Sequence, residues 1–313
     1  MFEIKRYEPS HEQAWNDFVA RSKNGTFLFD RRFMDYHSDR FADSSLMILR
    51  KGRIYALLPA NRVGDTLHSH QGLTYGGLLT DAKATAEGVM EAFGALNAWL
   101  RNEGVRRVTY KAMPWIYHRL PAEEDLYALT QVCHARLLTR EISSTILLQQ
   151  PLRFTESRKS GLRKALREGL YMEESGDLAA FWQMLDDNLA SRHHTHPVHS
   201  LDELRLLQGR FPQQIHLYLI YNKEKEPVGG TWVFDTGQVV HTQYIASTEE
   251  GKAHGALDLL FDELINRRYS EGIYLDFGKS TEEGGRVLNE HLIFQKEGFG
   301  GRGVCYDTYE WEP

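Results

Sequence analysis

The sequence is poor in cysteine and has no long uninterrupted apolar segment. Cys133 and Cys305 are the only cysteines among 313 residues, and they lie far apart. This excludes a disulfide framework and favours a reducing compartment, so we expect a cytoplasmic protein. No run of about 18 consecutive apolar residues is present, which argues against a membrane-spanning helix. The opening MFEIKRYEPSHEQ has no apolar core, so no secretory signal is expected.

Excess positive charge is also lacking. The chain has 37 Lys and Arg residues against 43 Asp and Glu residues, a formal net charge of −6. A DNA-binding domain with a broad basic surface is therefore not expected. The segment 153–167 is an exception, because it holds six basic residues and one acidic residue. Two interpretations stay open for it: the solvated face of an amphipathic helix, or a site for phosphate or another polyanion.

The order of predicted elements repeats once along the chain. Each half has a strand, then an apolar-periodic helix ending in glycine, then another strand. The spacing is nearly equal, from Tyr75 to Gly104 and from Tyr244 to Gly272. The first strand of the first-half set is predicted over 72–77. Two helices and a hairpin precede each set, and a helix and a strand follow it, which indicates an internal duplication.

The repeated order α-α-β-β-β-α-β-α-β predicts the fold class. It corresponds to an α/β fold whose sheet is mixed and mainly antiparallel, with one parallel crossover and covering helices. We predict an N-terminal domain over 1–150 and a C-terminal domain over 151–313. The second domain opens with the basic segment and is expected to carry the active site.

Three segments then connect the chain to a known family. They are the basic segment 158–165, the Tyr-Gly-Gly turn at 75–77 and the tail 289–301. With the duplicated element order, they make nearly the whole chain resemble the FemAB-like proteins, which contain two tandem GNAT acyltransferase domains. FemAB-like proteins attach amino acids to peptidoglycan precursors and take them from aminoacyl-tRNA. The resemblance implies two tandem GNAT-like domains and the transfer of an acyl or aminoacyl group to an amine.

The basic segment is a candidate contact for the donor under this resemblance. Arg158 and Lys159 are the donor-binding candidates within it. If the segment is an amphipathic helix, Leu162 and Leu166 should pack inward at i, i+4 spacing while the basic residues face solvent or an anion.

The segment 248–257 corresponds to the place where GNAT folds bind coenzyme A. A pyrophosphate there needs free backbone N–H groups at a helix start. Lys252 and Gly255 are the candidate donor-binding residues, but Leu257 takes the place of a small residue and glutamates begin the helix. We therefore expect weak binding of coenzyme A. The alternative for Gly255 is an ordinary packing role.

Polar residues on two strands of the second half are the catalytic candidates. Transfer to an amine needs a base for its proton and a donor for the developing oxyanion. Asp276 is the candidate base, Tyr244 the candidate acid and His241 a further catalytic residue, with Gln243 and Lys279 as substrate contacts. The alternatives left open are an Asp276–Lys279 turn pair and a half-buried histidine.

Further substrate contacts are expected in loops. In the first half the candidates are Arg31, His70, Tyr75, Gly76 and Gly77, and in the second half His199. Turn glycines let the backbone approach a ligand, whereas the alternative is a hairpin turn with a core tyrosine. The histidines at 193, 194, 196 and 199 lack the spacing of zinc ligands, so no metal is expected.

The sequence thus predicts a transferase that acts on an amine of a small-molecule or cell-wall-precursor substrate, of peptidoglycan or amino-sugar type. We expect no bound cofactor, with acyl-CoA or aminoacyl-tRNA as possible co-substrate. Transfer RNA is a possible partner, and DNA and a membrane span are not expected. Two alternatives stay open: an acyl-CoA-dependent N-acetyltransferase, and a non-catalytic ligand-binding protein on the same fold.

Overall fold

The computed structural model describes residues 1–193 and 196–313, with the backbone alone at 191–193. The chain forms two compact units, each built from more than one chain segment. Unit 1 comprises Met1–Ile142, Thr281–Val287 and Cys305–Pro313, and unit 2 comprises Ser143–Ser280 and Leu288–Val304. The change between units at Ile142 lies inside a strand, whereas the sequence analysis placed one boundary near residue 150.

Unit 1 contains two sets of hydrogen-bonded strands and four α-helices in the part described. The strands run in the orders β1-β2-β3-β6 and β4-β5-β7-β16. The elements are β1 (Phe2–Arg6), α1 (Glu12–Arg21), α2 (Arg31–Met34), β2 (Leu46–Arg50), β3 (Arg53–Leu58), β4 (Asn61–Val63), β5 (Thr66–His68), β6 (Leu79–Thr80), α3 (Ala86–Asn102), β7 (Arg107–Lys111), α4 (Glu124–Gln131), the start of β8 (Arg136–Leu147), β14 (Thr281–Glu282) and most of β16 (Arg302–Trp311).

The long helix α3 anchors the core of unit 1. Thr85 caps its N-terminus by accepting a hydrogen bond from the Gly88 N–H. The predicted apolar face is confirmed, because Val89, Phe93 and Leu96 are fully buried in the core cluster of this unit.

The predicted strand over 72–77 is wrong. This segment is a loop between β5 and β6. Carbonyls at its start have another donor, since the ammonium of Lys111 donates to the carbonyl oxygen of Leu73 at 2.9 Å and to those of His70 and Gln71, just before the segment, at 3.3 and 3.1 Å. A side chain far away in sequence thus satisfies backbone groups that a neighbouring strand would otherwise satisfy.

From α6 to α10, unit 2 follows the predicted order of elements around one set of strands, whereas the last strand predicted for the second half, β16, lies mostly in unit 1. The strands run in the order β8-β13-β12-β11-β10-β9. The elements are α5 (Glu156–Glu168), β9 (Tyr171–Glu174), α6 (Leu178–His193), α7 (Leu201–Arg210), β10 (Ile215–Tyr221), β11 (Pro227–Asp235), β12 (Val239–Ser247), α8 (Glu249–His254), α9 (Ala256–Glu263), β13 (Tyr274–Lys279), β15 (Val287–Leu288, of which Leu288 is in unit 2) and α10 (Glu290–Gly298).

Helices α5 and α9 of unit 2 pack backbone against backbone. Gly255 has a φ of +77° at the junction of α8 and α9, and a Cβ there would overlap the carbonyl of Gly161 in α5. A Cβ on Gly161 would in turn overlap the carboxylate of Asp258. The inner side of α5 is formed by Gly161, by the fully buried Ala165 and by Leu162, which packs on the core as predicted. The predicted inward packing of Leu166 is wrong, because that residue is 56% exposed.

No helix in the described part of the chain is both long and apolar enough to cross a bilayer.

We predict that Gly255→Ala destabilises the protein by about 2–4 kcal/mol, since alanine would meet both a left-handed backbone and a steric overlap. Gly94→Ala is the matched control, because Gly94 lies in α3 with no atom near a Cβ position. The control should stabilise by about 0.5–1 kcal/mol. Urea unfolding measures both. Equal effects of the two substitutions would contradict the packing role.

Candidate functional site

Strands β12 and β13 separate in the middle of unit 2. They pair in parallel over three rungs only, ending at His241 opposite Asp276. On its other edge β12 stays paired with β11 as far as Ser247, with a register shift that leaves Gln243 as an extra residue. Beyond His241 the edge of β12 therefore leaves its neighbour and opens a gap in the sheet.

A cavity of about 390 Å³ lies where these strands part. Its wall includes Ile245 and Ala246 from β12 and Phe277 from β13. Ser247 at the end of β12 and Phe299 just after α10 also line it, and the helices contribute the remaining residues: Leu185, Asn188 and Leu189 from α6, Lys252 from α8, Leu257 and Phe261 from α9, and Leu292, Gln295 and Lys296 from α10. A mainly apolar cavity of this size with a few polar groups is typical of a small-ligand site.

Asp276 forms a buried polar network on the last rung. Its side chain is fully buried. One carboxylate oxygen accepts hydrogen bonds from the hydroxyls of Ser143 and Thr145, the latter at 2.9 Å. The other oxygen faces Nδ1 of His241 at 3.0 Å. A carboxylate accepts only, so Nδ1 of a neutral His241 carries the proton and Nε2 is the acceptor.

This network changes the role expected for Asp276. A fully buried carboxylate that accepts three hydrogen bonds has no direct route to a substrate amine, so the prediction of Asp276 as the exposed base is not supported by its surroundings. His241 is the better placed acceptor, at the rung where the strands part and 7% exposed. Asp276 then orients the imidazole.

Lys296 of α10 is a site residue that the sequence analysis missed. It lines the cavity and is 5% exposed. Its ammonium donates to the carbonyls of Gly278 and Lys279 at 2.8 and 3.0 Å and to the Ser280 hydroxyl at 2.9 Å. Burial lowers the pKa of Lys296 to about 8, while the charge of Asp276 acts in the opposite direction. The only sequence signal was its place in the tail segment.

Tyr244 is held by a loop histidine. Its hydroxyl is 2.6 Å from Nδ1 of His199, and its ring stacks on Trp232 with centroids 6.1 Å apart. Burial raises the pKa of Tyr244 to about 12, although its hydrogen bonds with His199 and Gln243 lower it. The phenol is therefore protonated at neutral pH and can donate a proton. Two predicted site residues, Tyr244 and His199, thus lie together.

The two remaining second-half candidates occupy different positions. Gln243 is the bulge residue of β12, and its Oε1 is buried without a hydrogen-bond partner in the described part of the chain. Lys279 has an exposed side chain at the end of β13, and its carbonyl accepts from Lys296.

The predicted donor-binding residues are largely engaged within the protein. Lys252 lines the cavity but pairs with Glu249. Gly255 packs against α5. Arg158 pairs with Asp258 at 3.1 Å, and Lys159 pairs with Glu156 at 2.8 Å.

The predicted residues of unit 1 lie in its interior. Tyr75 is 2% exposed, and its hydroxyl is 3.1 Å from that of Thr26. A Cβ on Gly76 would overlap the carbonyl of Ser69, and Gly77 has a φ of +97°. These contacts give the turn a packing role, which the sequence analysis had left open.

Arg31 and His70 are likewise committed to intramolecular contacts. Arg31 is 2% exposed, pairs with Asp35 and Asp43, and lies over the ring of Tyr7. The guanidinium is engaged within the protein, so the predicted substrate contact of Arg31 has no support in its surroundings. Burial lowers the pKa of His70 to about 3, and nearby positive charges act in the same direction.

The histidine-rich loop is described only in part. His196 is 2.7 Å from a carboxylate oxygen of Asp186. Position 194 lies outside the described residues, as does the side chain of His193. Among the described residues, no three side chains of histidine, cysteine, aspartate or glutamate lie close enough together to hold a metal ion.

Unit 1 contains a strand pair that corresponds to β12–β13. Strands β5 and β7 also pair in parallel over three rungs, and the last rung holds His68 opposite Thr109. The histidine recurs, but the carboxylate does not. The site described above is therefore specific to unit 2.

Comparison with known proteins identifies the domain. Residues 155–284 match the family described as acetyltransferase (GNAT) domain. The matched residues lie mostly in unit 2. No curated protein sequence gives a significant match to the chain.

Solved structures extend this likeness to the whole chain. The crystal structure of FemX has a TM-score of 0.68 at 11% identity, with 99% of this chain and 97% of that chain covered. L-PGS from Bacillus licheniformis has a TM-score of 0.62 at 14% identity, covering 97% and 92%. A tandem GNAT protein from the clavulanic acid biosynthesis pathway has a TM-score of 0.51 at 12% identity, covering 100% and 98%.

These findings confirm the expected fold of two tandem GNAT-like domains and the resemblance to FemAB-like proteins. At these identities the solved structures establish the fold alone. The separated strands and the cavity both lie in the GNAT-like domain of unit 2.

We predict a pH-dependent contribution of Lys296 to stability. Its pKa of about 8 in the folded protein lies below the ordinary value of 10.5. The unfolded chain therefore binds more protons between these values, so stability rises with pH through this window. The free energy of unfolding of the wild type relative to Lys296→Met should increase by up to about 3 kcal/mol from pH 7 to 10.5.

Denaturant unfolding of both proteins across that range measures this difference. Lys223→Met is the control, because Lys223 is exposed. A difference that stays constant with pH would show that the Lys296 ammonium is not disfavoured by burial.

Proposed function

We propose that the protein transfers an acyl or aminoacyl group to an amine, with the chemistry in the GNAT domain of unit 2. The observation that carries the proposal is the His241–Asp276 rung, the last one before β12 and β13 separate. The rung does not line the cavity, but the same two strands line it further along, with Ile245 and Phe277. The rung supplies a positioned imidazole, and the cavity supplies space for the acyl group. The GNAT acyltransferase fold supports the same reaction class.

Proton removal from the amine is the role proposed for His241. With Nδ1–H held by Asp276, Nε2 can accept the proton as the amine attacks the carbonyl carbon. The resulting imidazolium is stabilised by the buried carboxylate, whose other oxygen is fixed by Ser143 and Thr145. Asp276 is thus a positioning residue, not the base.

The developing oxyanion meets positive charge on the cavity wall. Lys296 uses its N–H groups to hold Gly278, Lys279 and Ser280. It therefore acts on the carbonyl oxygen through its charge, which is effective in a buried site. Tyr244, protonated at neutral pH, is the proposed acid for the leaving oxygen or sulfur.

An aminoacyl ester fits the donor side better than coenzyme A. At the start of α8, Thr248 already accepts from the Gly251 N–H at 3.0 Å. Glu250 there accepts from Asn222 at 3.1 Å. A capped, acidic helix start opposes pyrophosphate. Through the FemAB-like resemblance, we propose aminoacyl-tRNA as donor, a peptidoglycan-precursor or amino-sugar amine as acceptor, and a cytoplasmic location.

Purified protein incubated with charged tRNA and cell-wall precursors of nucleotide-sugar type should form an amide, detected by mass spectrometry. We predict that His241→Asn lowers kcat by about 10²–10⁴-fold. Asp276→Asn should lower kcat by a similar factor. Its remaining oxygen would face Ser143 and Thr145, so its amide nitrogen would face Nδ1 and force the proton onto Nε2.

Because the two residues act as one unit, the double variant should be no worse than His241→Asn alone. His134→Asn is the matched control: His134 is exposed in unit 1 with a φ of 48°, which asparagine tolerates. Multiplicative losses in the double variant, or full activity of Asp276→Asn, would refute the dyad. Absence of any amide product with every donor would count against the transfer itself.

Coenzyme A is the second candidate donor, favoured by the acetyltransferase (GNAT) match. We predict that it binds only weakly, because of the acidic helix start and the bulk of Leu257 on the cavity wall. Isothermal titration calorimetry with acetyl-CoA measures this. A micromolar Kd would transfer the proposal to an acyl-CoA-dependent N-acetyltransferase.

A further inference from the structure

Five basic side chains surround an open groove in unit 1. The groove has a volume of about 900 Å³ and is bordered by the end of α1, the β2–β3 turn and the loop before α3. The basic side chains are Arg21, Arg50, Lys51, Arg53 and Lys83. In a chain with a net charge of −6, such a local concentration of positive charge runs against the overall composition.

The β2–β3 turn contributes three of these charges in an unfavourable arrangement. Arg50 and Arg53 are directly opposite each other in the strand register, where like charges repel. Lys51 has a φ of 52°, a left-handed conformation that this kind of turn normally gives to asparagine, aspartate or glycine. A turn of ordinary composition would be more stable.

Ion pairs within the protein offset these charges only in part, since Arg50 lies 3.7 Å from a carboxylate oxygen of Glu91. In the part of the chain that the structure describes, Lys51 and Arg53 have no ion-pair partner. The carboxylates of Asp17 and Asp81 also border the groove, where they accept hydrogen bonds from Gln13 at 2.7 Å and from the backbone N–H of Lys83 at 2.9 Å. Basic side chains on the groove thus outnumber acidic ones by five to two. Side chains that break local rules without an internal partner indicate a ligand.

We propose that this groove binds the phosphodiester backbone of a nucleic-acid strand. Several separated cations along one groove match a row of phosphates, whereas a single phosphate needs fewer cations and far less space. The aromatic ring of Tyr55 also borders the groove, and the guanidinium of Arg50 lies over it at 5.9 Å. Basic grooves with aromatic groups are the common way to bind single strands. A concave surface does not fit a flat bilayer.

The inference does not depend on the proposed acyl transfer. The groove and the His241–Asp276 rung belong to different units, and binding is measured without turnover. Loss of transfer with intact binding, or the reverse, separates the two proposals.

The test uses the full chain and a fluorescein-labelled uridine 12-mer, followed by fluorescence anisotropy at several salt concentrations. With about five phosphate contacts, affinity should fall about 100-fold between about 50 and about 200 mM salt. The double variant Lys51→Asn, Arg53→Thr removes two contacts, so its affinity should fall only about 20-fold over the same range.

Thermal unfolding distinguishes a binding role from a structural role. Asparagine suits the left-handed turn position and threonine suits the strand, so the double variant should have an equal or higher Tm while binding more weakly. Lys225→Asn is the matched control, because Lys225 also has a positive φ, of 65°, at a turn in unit 2. It should leave the affinity and the salt dependence for RNA unchanged.

Three outcomes would overturn the proposal. One is absence of RNA binding, or the same salt dependence in the double variant as in the wild type. Another is full displacement of the RNA by equimolar inorganic pyrophosphate, which would indicate a small-anion site. The third is sedimentation with phosphatidylglycerol-containing vesicles that is lost in the double variant, which would indicate a membrane surface.

Discussion

Strands β12 and β13 share only three rungs of parallel pairing, and the candidate site follows from where that pairing stops. Backbone groups that lose a strand partner need another. On the β13 side, the Lys296 ammonium supplies donors to the carbonyls of Gly278 and Lys279. A charged side chain thus replaces part of a strand ladder. The same contact places the buried ammonium of Lys296 on the cavity wall. The hydrogen bonds to β13 and the positive charge of the cavity therefore depend on one side chain.

The same separation explains why a buried acid is tolerated at the last rung. Asp276 is surrounded by two hydroxyls from β8 and an imidazole from β12, which together satisfy both carboxylate oxygens. An unpaired buried carboxylate would be strongly destabilising. Here two of the three partners are fixed by strand register, since Asp276 lies opposite both Thr145 and His241. The imidazole is therefore oriented by the sheet itself before any ligand binds.

Local sequence signals predicted local structure well. The sequence predicts a helix over 201–210 and a strand over 215–221, and α7 and β10 have these bounds. Ser200 and Glu203 form a capping box at the start of α7, and apolar residues dominate the short run of β10 between turns. The failures depend on residues distant in sequence. The Lys111 ammonium donates hydrogen bonds to backbone carbonyls at and just before the start of the segment predicted as a strand over 72–77. The hydroxyls that donate to Asp276 belong to Ser143 and Thr145, more than 130 positions earlier in the sequence. No local sequence pattern reveals such a contact.

The two halves differ where chemistry is expected. Unit 1 keeps the three parallel rungs and the histidine, as His68 opposite Thr109. Past that rung its chain stays closed, because the backbone N–H of Ser69 donates to the Thr109 carbonyl at 3.0 Å and the Lys111 N–H donates to the Ser69 hydroxyl at 2.9 Å. A threonine can neither hold an imidazole tautomer by charge nor stabilise an imidazolium. In unit 2 the strands separate after a rung with a histidine and a carboxylate, whereas in unit 1 the backbone stays hydrogen-bonded after a rung with a histidine and a threonine. Only the rung of unit 2 has the groups that the proposed proton transfer requires.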